Sequence, residues 1–285
     1  MEMQIDQATA ALHAGREVRW LAQSAEFLDD WRPEWEPHLL AAAQRLGQTP
    51  CADGLFVRSL PEKRVGICRM ADLDGDPPTV RGVQLLVLKE DLYREAAWDP
   101  FAIVEACVPN WHARGSLPAC SVSVPLPRRT VEQVCEVLKS ADSPALFGAA
   151  QALVDGGRVA WVRPQLDPVL LRRLWTLLPT STRWELRPAS WAVGAARDFH
   201  AVLVAQVEQG DFDHRFLSEA QVTNYPEGRY ELGVQAAAEA GDQAELDRLF
   251  ARRSRTETWR LGLWVAGALI VLILGMAGMK WVMGR

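Results

Sequence analysis

The sequence predicts an α+β fold: a two-lobed cytoplasmic domain followed by a single C-terminal transmembrane helix. Three observations carry this reading. Capped helical stretches alternate with short apolar runs of strand length, which excludes an all-helical domain. Of the 285 residues 49% are hydrophobic, so the part ahead of the C-terminus can bury a sizeable core. Residues 261–279, LGLWVAGALIVLILGMAGM, are nineteen consecutive positions without a charged or strongly polar side chain.

Nineteen helical residues span about 28 Å, close to the roughly 30 Å hydrocarbon core of a bilayer, whereas a buried core helix rarely stays apolar for more than about a dozen. Trp259, Trp264 and Trp281 fall where interfacial rings sit. Arg252, Arg253, Arg255 and Arg260 precede the run, and Lys280 and Arg285 follow it. By the positive-inside bias this places the preceding domain in the cytoplasm and the C-terminus outside, with the arginine cluster at the headgroups. Gly262 and Ala266 form a small-xxx-small pair, a surface on which two spans can pack into a homo-oligomer. Six residues follow the run, so insertion is expected after synthesis, as a tail anchor. The first twenty residues hold no cationic region leading into an apolar run, so no secretory signal is expected.

Of the 31 basic and 36 acidic residues, six basic and one acidic lie from Ala251 onward, leaving the preceding part at a net charge of about −10. Such a balance has no general attraction for nucleic acid, which is not expected as a partner. Cys51, Cys68, Cys107, Cys120 and Cys135 show no C-x-x-C or zinc-ligand spacing, and in a cytoplasmic compartment all five are expected as reduced, mostly buried thiols.

Along the chain, residues 1–125 are expected as an N-terminal α+β lobe, 126–225 as a second one, 226–256 as a helical hairpin leading to the membrane and 257–285 as the anchor. After a short segment around residues 18–22, Pro33 and Pro37 interrupt any long helix and a helix is expected over 36–46. GLFVRSL and KRVGICRM suit a hairpin turning at Pro61 and Glu62, and VQLLVLK a buried strand. EDLYREAAWDPFAIVEAC is helical in pattern, broken where Asp99 caps and Pro100 starts a second helix. The proline-rich stretch from Val108 to Thr130 looks like a linker or an interlobe crossover. Thr130 and Gln133 make a capping box for a helix over 131–139, and Ser143-Pro144 opens another, ended by Asp155-Gly156-Gly157 ahead of the strand RVAWV. Asp167-Pro168 starts a helix stopped by Pro179; RWELRP, SWAVG and HAVLVAQ look like strands. Two helices then meet at Gly241, the second capped by Asp242 and carrying Leu246, Leu249 and Phe250 on one face.

Chemical motifs are sparse. Asp72, Asp74 and Asp76 alternate as in a calcium loop, but Pro77 and Val83 stand where Gly and Glu are needed. Asp155-Gly156-Gly157 lies between a helix and a strand with no lysine, the wrong order for a phosphate loop. No cofactor and no metal is expected. Asp198 with His200, or Asp211 and Asp213 with His214, could orient an imidazole toward Cys120 or Ser121, without any signature motif of a hydrolase beside them.

QATAALHAGREVRWLAQSAEFL and CRMADLDGDPPTVRGVQLLVLKEDLY, about 100 residues together, resemble the N-terminal region of bacterial GTPase-associated protein families, components of multi-protein systems. The resemblance implies a non-catalytic partner of a GTPase or another NTPase. The expectation is therefore an adaptor in the bacterial inner membrane, single-pass, contacting the lipid bilayer through its last helix and a cytoplasmic protein partner through its acidic domain. A membrane-tethered hydrolase and a self-assembling membrane subunit are the alternatives.

Overall fold

The computed structural model describes residues 2–13, 17–27, 31–46, 51, 53–73, 80–163, 167–190, 199–204 and 216–252. The first half runs β1 (Glu2–His13), β2 (Glu17–Gln23), α1 (Arg32–Leu46), β3 (Gly54–Leu60), β4 (Arg64–Asp72), β5 (Val80–Lys89), α2 (Glu90–Glu95), α3 (Pro100–Ala106), β6 (Gly115–Ser116) and β7 (Cys120–Ser123). Its long strands pair antiparallel, β3 with β4, β4 with β5, β5 with β1 and β1 with β2. β7 returns to the start of β1, setting Ser123 opposite Glu2.

The second half runs α4 (Val131–Leu138), α5 (Ser143–Val154), β8 (Arg158–Val162), α6 (Pro168–Leu177), α7 (Thr180–Glu185), β9 (Pro188–Ala189), β10 (Ala201–Val204), β11 (Phe216–Ser218), α8 (Glu219–Thr223), α9 (Arg229–Glu239) and α10 (Gln243–Phe250). Here the pairing is parallel, β10 lying between β8 and β9, with β11 outside β8. β9 meets β3 antiparallel, Ala189 opposite Phe56, so both halves share one sheet ordered β11-β8-β10-β9-β3-β4-β5-β1-β2-β6. Buried Ser190 fastens the junction: its amide donates to the Leu55 carbonyl at 2.7 Å, and its hydroxyl accepts from the Leu55 amide at 2.6 Å.

Strand alternation sorts the core onto the two faces of this sheet. Leu55, Ile67, Leu86, Trp161 and Leu203 point to one face, under the helices α2 to α6 and α8 to α10. Phe56, Met70, Leu85, Ala160 and Val202 point to the other, where Trp31, Trp35 and Leu39 cover them.

The mixed α+β class is as the sequence predicts, and so are most caps; the single large sheet is seen only in the structure. Asp99, Asp167 and Asp242 accept from the amides of Ala102, Leu170 and Glu245 at 3.1, 3.1 and 2.9 Å, and the Thr130/Gln133 box is complete. The hairpin between β3 and β4 turns with Glu62 and Lys63 both at positive φ.

Five expectations are corrected. α1 starts at Arg32 and continues through Pro37, because burial of Trp35 and Leu39 outweighs the one backbone bond that proline removes. The stretch from Val108 to Thr130 is more than a linker, since β6 and β7 dock on β2 and β1. The first half of RWELRP, Arg183–Glu185, is the end of the helix α7, and only Pro188 enters a strand, β9. β1, the strand between β5 and β2, has no counterpart in the expected elements; its Ala-rich wording hides it, and small residues suit a strand buried on both faces. Finally, Cys107 and Cys120 form a disulfide with Cα atoms 5.8 Å apart, leaving Cys51, Cys68 and Cys135 as thiols. The fold, by bringing the end of α3 to β7, creates a pair that a separation of 13 residues does not announce.

The apolar run 261–279 lies outside the described residues, and with it Arg253, Arg255, Trp259, Arg260, Gly262, Trp264, Ala266, Lys280 and Trp281. Asp74, Asp76, Asp198, Asp211, Asp213 and His214 lie outside them too. Among the described residues no helix is long and apolar enough to cross a membrane.

Candidate functional site

A cleft of about 820 Å³ lies between α3, β7, the chain entering α4, the end of α6, and α10. Arg129 sits in its wall, just ahead of the Thr130 cap. One of its terminal nitrogens donates to the carbonyls of Thr176 at 3.1 Å and of Leu178, and the other donates to the Thr180 hydroxyl at 3.0 Å. Those carbonyls end α6, so Arg129 supplies donors that the helix terminus lacks. Its guanidinium lies 3.7 Å from the centre of the Phe250 ring, which binds α10 to the same point.

Arg183 of α7 lies beneath, its side chain 2% exposed. It donates to the Trp175 carbonyl at 2.9 Å, to the Ala97 carbonyl at 3.4 Å and to the Asp99 carboxylate at 3.2 Å. Burial lowers the pKa of both arginines; the positive charge of Arg183 pushes that of Arg129 down further, while Asp99 pulls that of Arg183 back up. Nearby Tyr230 donates to the Leu177 carbonyl, and burial raises its phenol pKa, as it does for Tyr93. Of these two neighbouring guanidiniums only Arg183 contacts a carboxylate, that of Asp99.

This network holds a strained turn. Ala97 and Trp98 both lie in the left-handed region, at φ 49° and 55°, which costs on the order of 1–3 kcal/mol per non-glycine residue. Trp175 compensates by donating its indole N–H to the Trp98 carbonyl at 2.9 Å, alongside the Arg183 bond to Ala97. On the far side, Trp98 stacks on Trp184 at 5.5 Å beside a second hollow of about 640 Å³, where Trp184 remains 42% exposed. The Ala97–Trp98 turn is therefore the partition between two hollows, built from residues of both halves of the chain.

At the rim of the cleft, Arg128 pairs with Asp247 and Arg172 with Glu105. The Ser121 hydroxyl donates to Glu2 at 3.0 Å, exposed to solvent. The Cys107–Cys120 disulfide ties together the two wall segments that carry Glu105 and Ser121. Guanidinium and hydroxyl donors dominate this chemistry, which suits anion recognition more than proton abstraction. Among the described residues no group of three or more His, Cys, Asp or Glu side chains could hold a metal ion.

Of the residues singled out in the sequence, Arg252 is exposed at the end of α10, where its carbonyl accepts from the Ser181 hydroxyl. Cys120 is spent in the disulfide. His200 precedes β10, and four strands separate β10 from β1, the partner of Ser121, a distance of roughly 24 Å. The fold does not bring that nucleophile and that base together. Arg129, Arg183, Thr180 and the Trp98/Trp184 stack escaped the reading because an arginine's burial leaves no local pattern; the only local sign was the Arg128-Arg129 pair ahead of a cap.

His200 is instead a structural group. Its Nδ1 accepts from the Arg187 amide at 3.1 Å, and its pKa is depressed to about 4 by burial, then by the charges of Arg158 and Arg187. A depressed histidine adds stability that is complete above its unfolded value, near 6.5, and is lost as pH falls toward 4. We expect His200→Asn to remove on the order of 3 kcal/mol from the difference in unfolding free energy between pH 7 and pH 4, read from denaturant titrations at both. An identical pH dependence in the variant would refute this.

Compared with models of known protein families and with curated proteins, the chain matches none. What the geometry defines is a mixed α+β domain in which segments from both halves of the chain line an arginine-bearing cleft.

Proposed function

We propose that this protein is a tail-anchored adaptor of the bacterial inner membrane, holding an acidic α+β domain at the bilayer for a cytoplasmic protein partner, a GTPase or ATPase as the N-terminal resemblance implies. The observation that carries the reading is the uncharged run 261–279 between clusters of cations. The fold supports it by position. Ala251, which lines both hollows, is ten residues from the start of that run, so the cleft can stand no more than about 35 Å of chain from the bilayer.

Fractionation tests the anchor. The full chain is expected in the membrane pellet, resistant to alkaline carbonate, and a chain ending at Thr256 in the soluble fraction; a soluble full chain sinks the proposal. Affinity capture with both forms then reports the partner, with an NTPase expected in each.

The disulfide favours a second reading of the orientation, because such bonds persist mainly outside the cytoplasm. Maleimide labelling of protein denatured without reductant separates the two. A cytoplasmic domain exposes five reactive cysteines, and a domain on the oxidising side exposes only Cys51, Cys68 and Cys135.

A further inference from the structure

We infer that the cleft between α3, β7 and α10 is a receptor for a phosphate group, with Arg129 as its principal ligand. This goes beyond the adaptor reading and does not depend on it. Three of the five N–H donors of Arg129 are used, on the carbonyls of Thr176 and Leu178 and the hydroxyl of Thr180. Its Nε–H and its remaining terminal N–H have no hydrogen-bond partner among the described residues, and no carboxylate of theirs reaches it. Arg183, next to it, is directed at Trp175, Ala97 and Asp99. Two guanidiniums with one contacting carboxylate leave an uncompensated positive charge in a partly dry site, an arrangement that is costly until an anion arrives.

A phosphate monoester fits this demand better than a carboxylate. It carries up to two negative charges and three acceptor oxygens, and it accepts the guanidinium fork side by side. The rim carboxylates do not oppose it, since Glu105 and Asp247 are already neutralised by Arg172 and Arg128. The cleft is far larger than the phosphate itself, and Val122, Leu126 and Phe250 offer apolar wall to whatever body the phosphate is attached to. That body is a soluble metabolite or a lipid headgroup, two sources of the same chemistry.

The test uses the full chain in a maltoside detergent, which contributes no phosphorus. Glycerol 3-phosphate is added at constant ionic strength against chloride, and the phosphorus resonance is followed. In a parallel arm the chain sits in phosphatidylcholine nanodiscs with and without phosphatidic acid, whose resonance is read. Arg129→Gln is expected to weaken binding at least tenfold with the circular dichroism spectrum retained. Ala102→Phe, which fills the cleft from α3 and leaves both arginines in place, is expected to do the same. Broadening of glycerol 3-phosphate that both variants abolish supports a soluble ligand, and broadening confined to phosphatidic acid and abolished likewise supports the lipid source. If one variant fails to fold, the other decides. No broadening in either arm, or broadening that survives a folded variant undiminished, overturns the inference.

Discussion

Arg183→Ala is expected to lower the unfolding free energy by about 3–5 kcal/mol, the usual loss when one member of a buried ion pair is removed. The substitution leaves the Asp99 carboxylate without its buried partner and the carbonyls of Trp175 and Ala97 without their donor. It also withdraws support from the left-handed turn at Ala97 and Trp98, so strain now compensated becomes a net penalty. Domains of this kind hold only about 5–15 kcal/mol in total, and the variant is expected to be largely unfolded under mild denaturant. Denaturant titration followed by tryptophan fluorescence measures it directly, because Trp98, Trp175 and Trp184 surround the site. A loss below about 1 kcal/mol would show that Arg183 is a passenger in this network.

Gly148→Ala is the second large effect, expected at about 3 kcal/mol of destabilisation. Gly148 lies in α5, where alanine should by propensity help by nearly 1 kcal/mol. Packing reverses that sign: an added Cβ would stand 1.9 Å from the carbonyl oxygen of Val222 in α8 and 3.4 Å from the Cβ of Tyr225. The obstacle is backbone, so no rotamer change relieves it, and α8 must move away from α5. Gly233→Ala in α9 is the control, since its Cβ meets only the side chain of Leu249 at 3.3 Å. That variant is expected within about 1 kcal/mol of the parent, and equal losses in the two would remove the close α5–α8 approach as the cause.

These two residues show where reading the sequence reaches and where it stops. The caps at Asp99, Thr130, Asp167 and Asp242 were legible because a capping bond closes within three residues. The hairpin of β3 and β4 was legible for the same reason, its turn lying between two adjacent apolar runs. Arg183 was misread as part of a strand because its alternating neighbours Trp184 and Leu186 imitate one, while the side chain that anchors α7 reaches Asp99, 84 residues away. Arg129 carried no signal beyond its place beside Arg128 ahead of a cap, since its partners at the end of α6 are some fifty residues downstream.

The sequence by itself determined the mixed α+β class, the positions of most helices, and a nineteen-residue run apolar enough to span a bilayer. Each is a property of neighbouring residues, set by capping, periodicity and hydropathy over short distances. Only the tertiary structure decided that β1 receives β7 at one end and pairs with β5 and β2, that Cys107 finds Cys120, and that Arg129 and Arg183, from separate segments, meet in one cleft where only Arg183 contacts a carboxylate. Those outcomes depend on which surfaces the sheet brings together, and burial then turns side chains ordinary in sequence into a site.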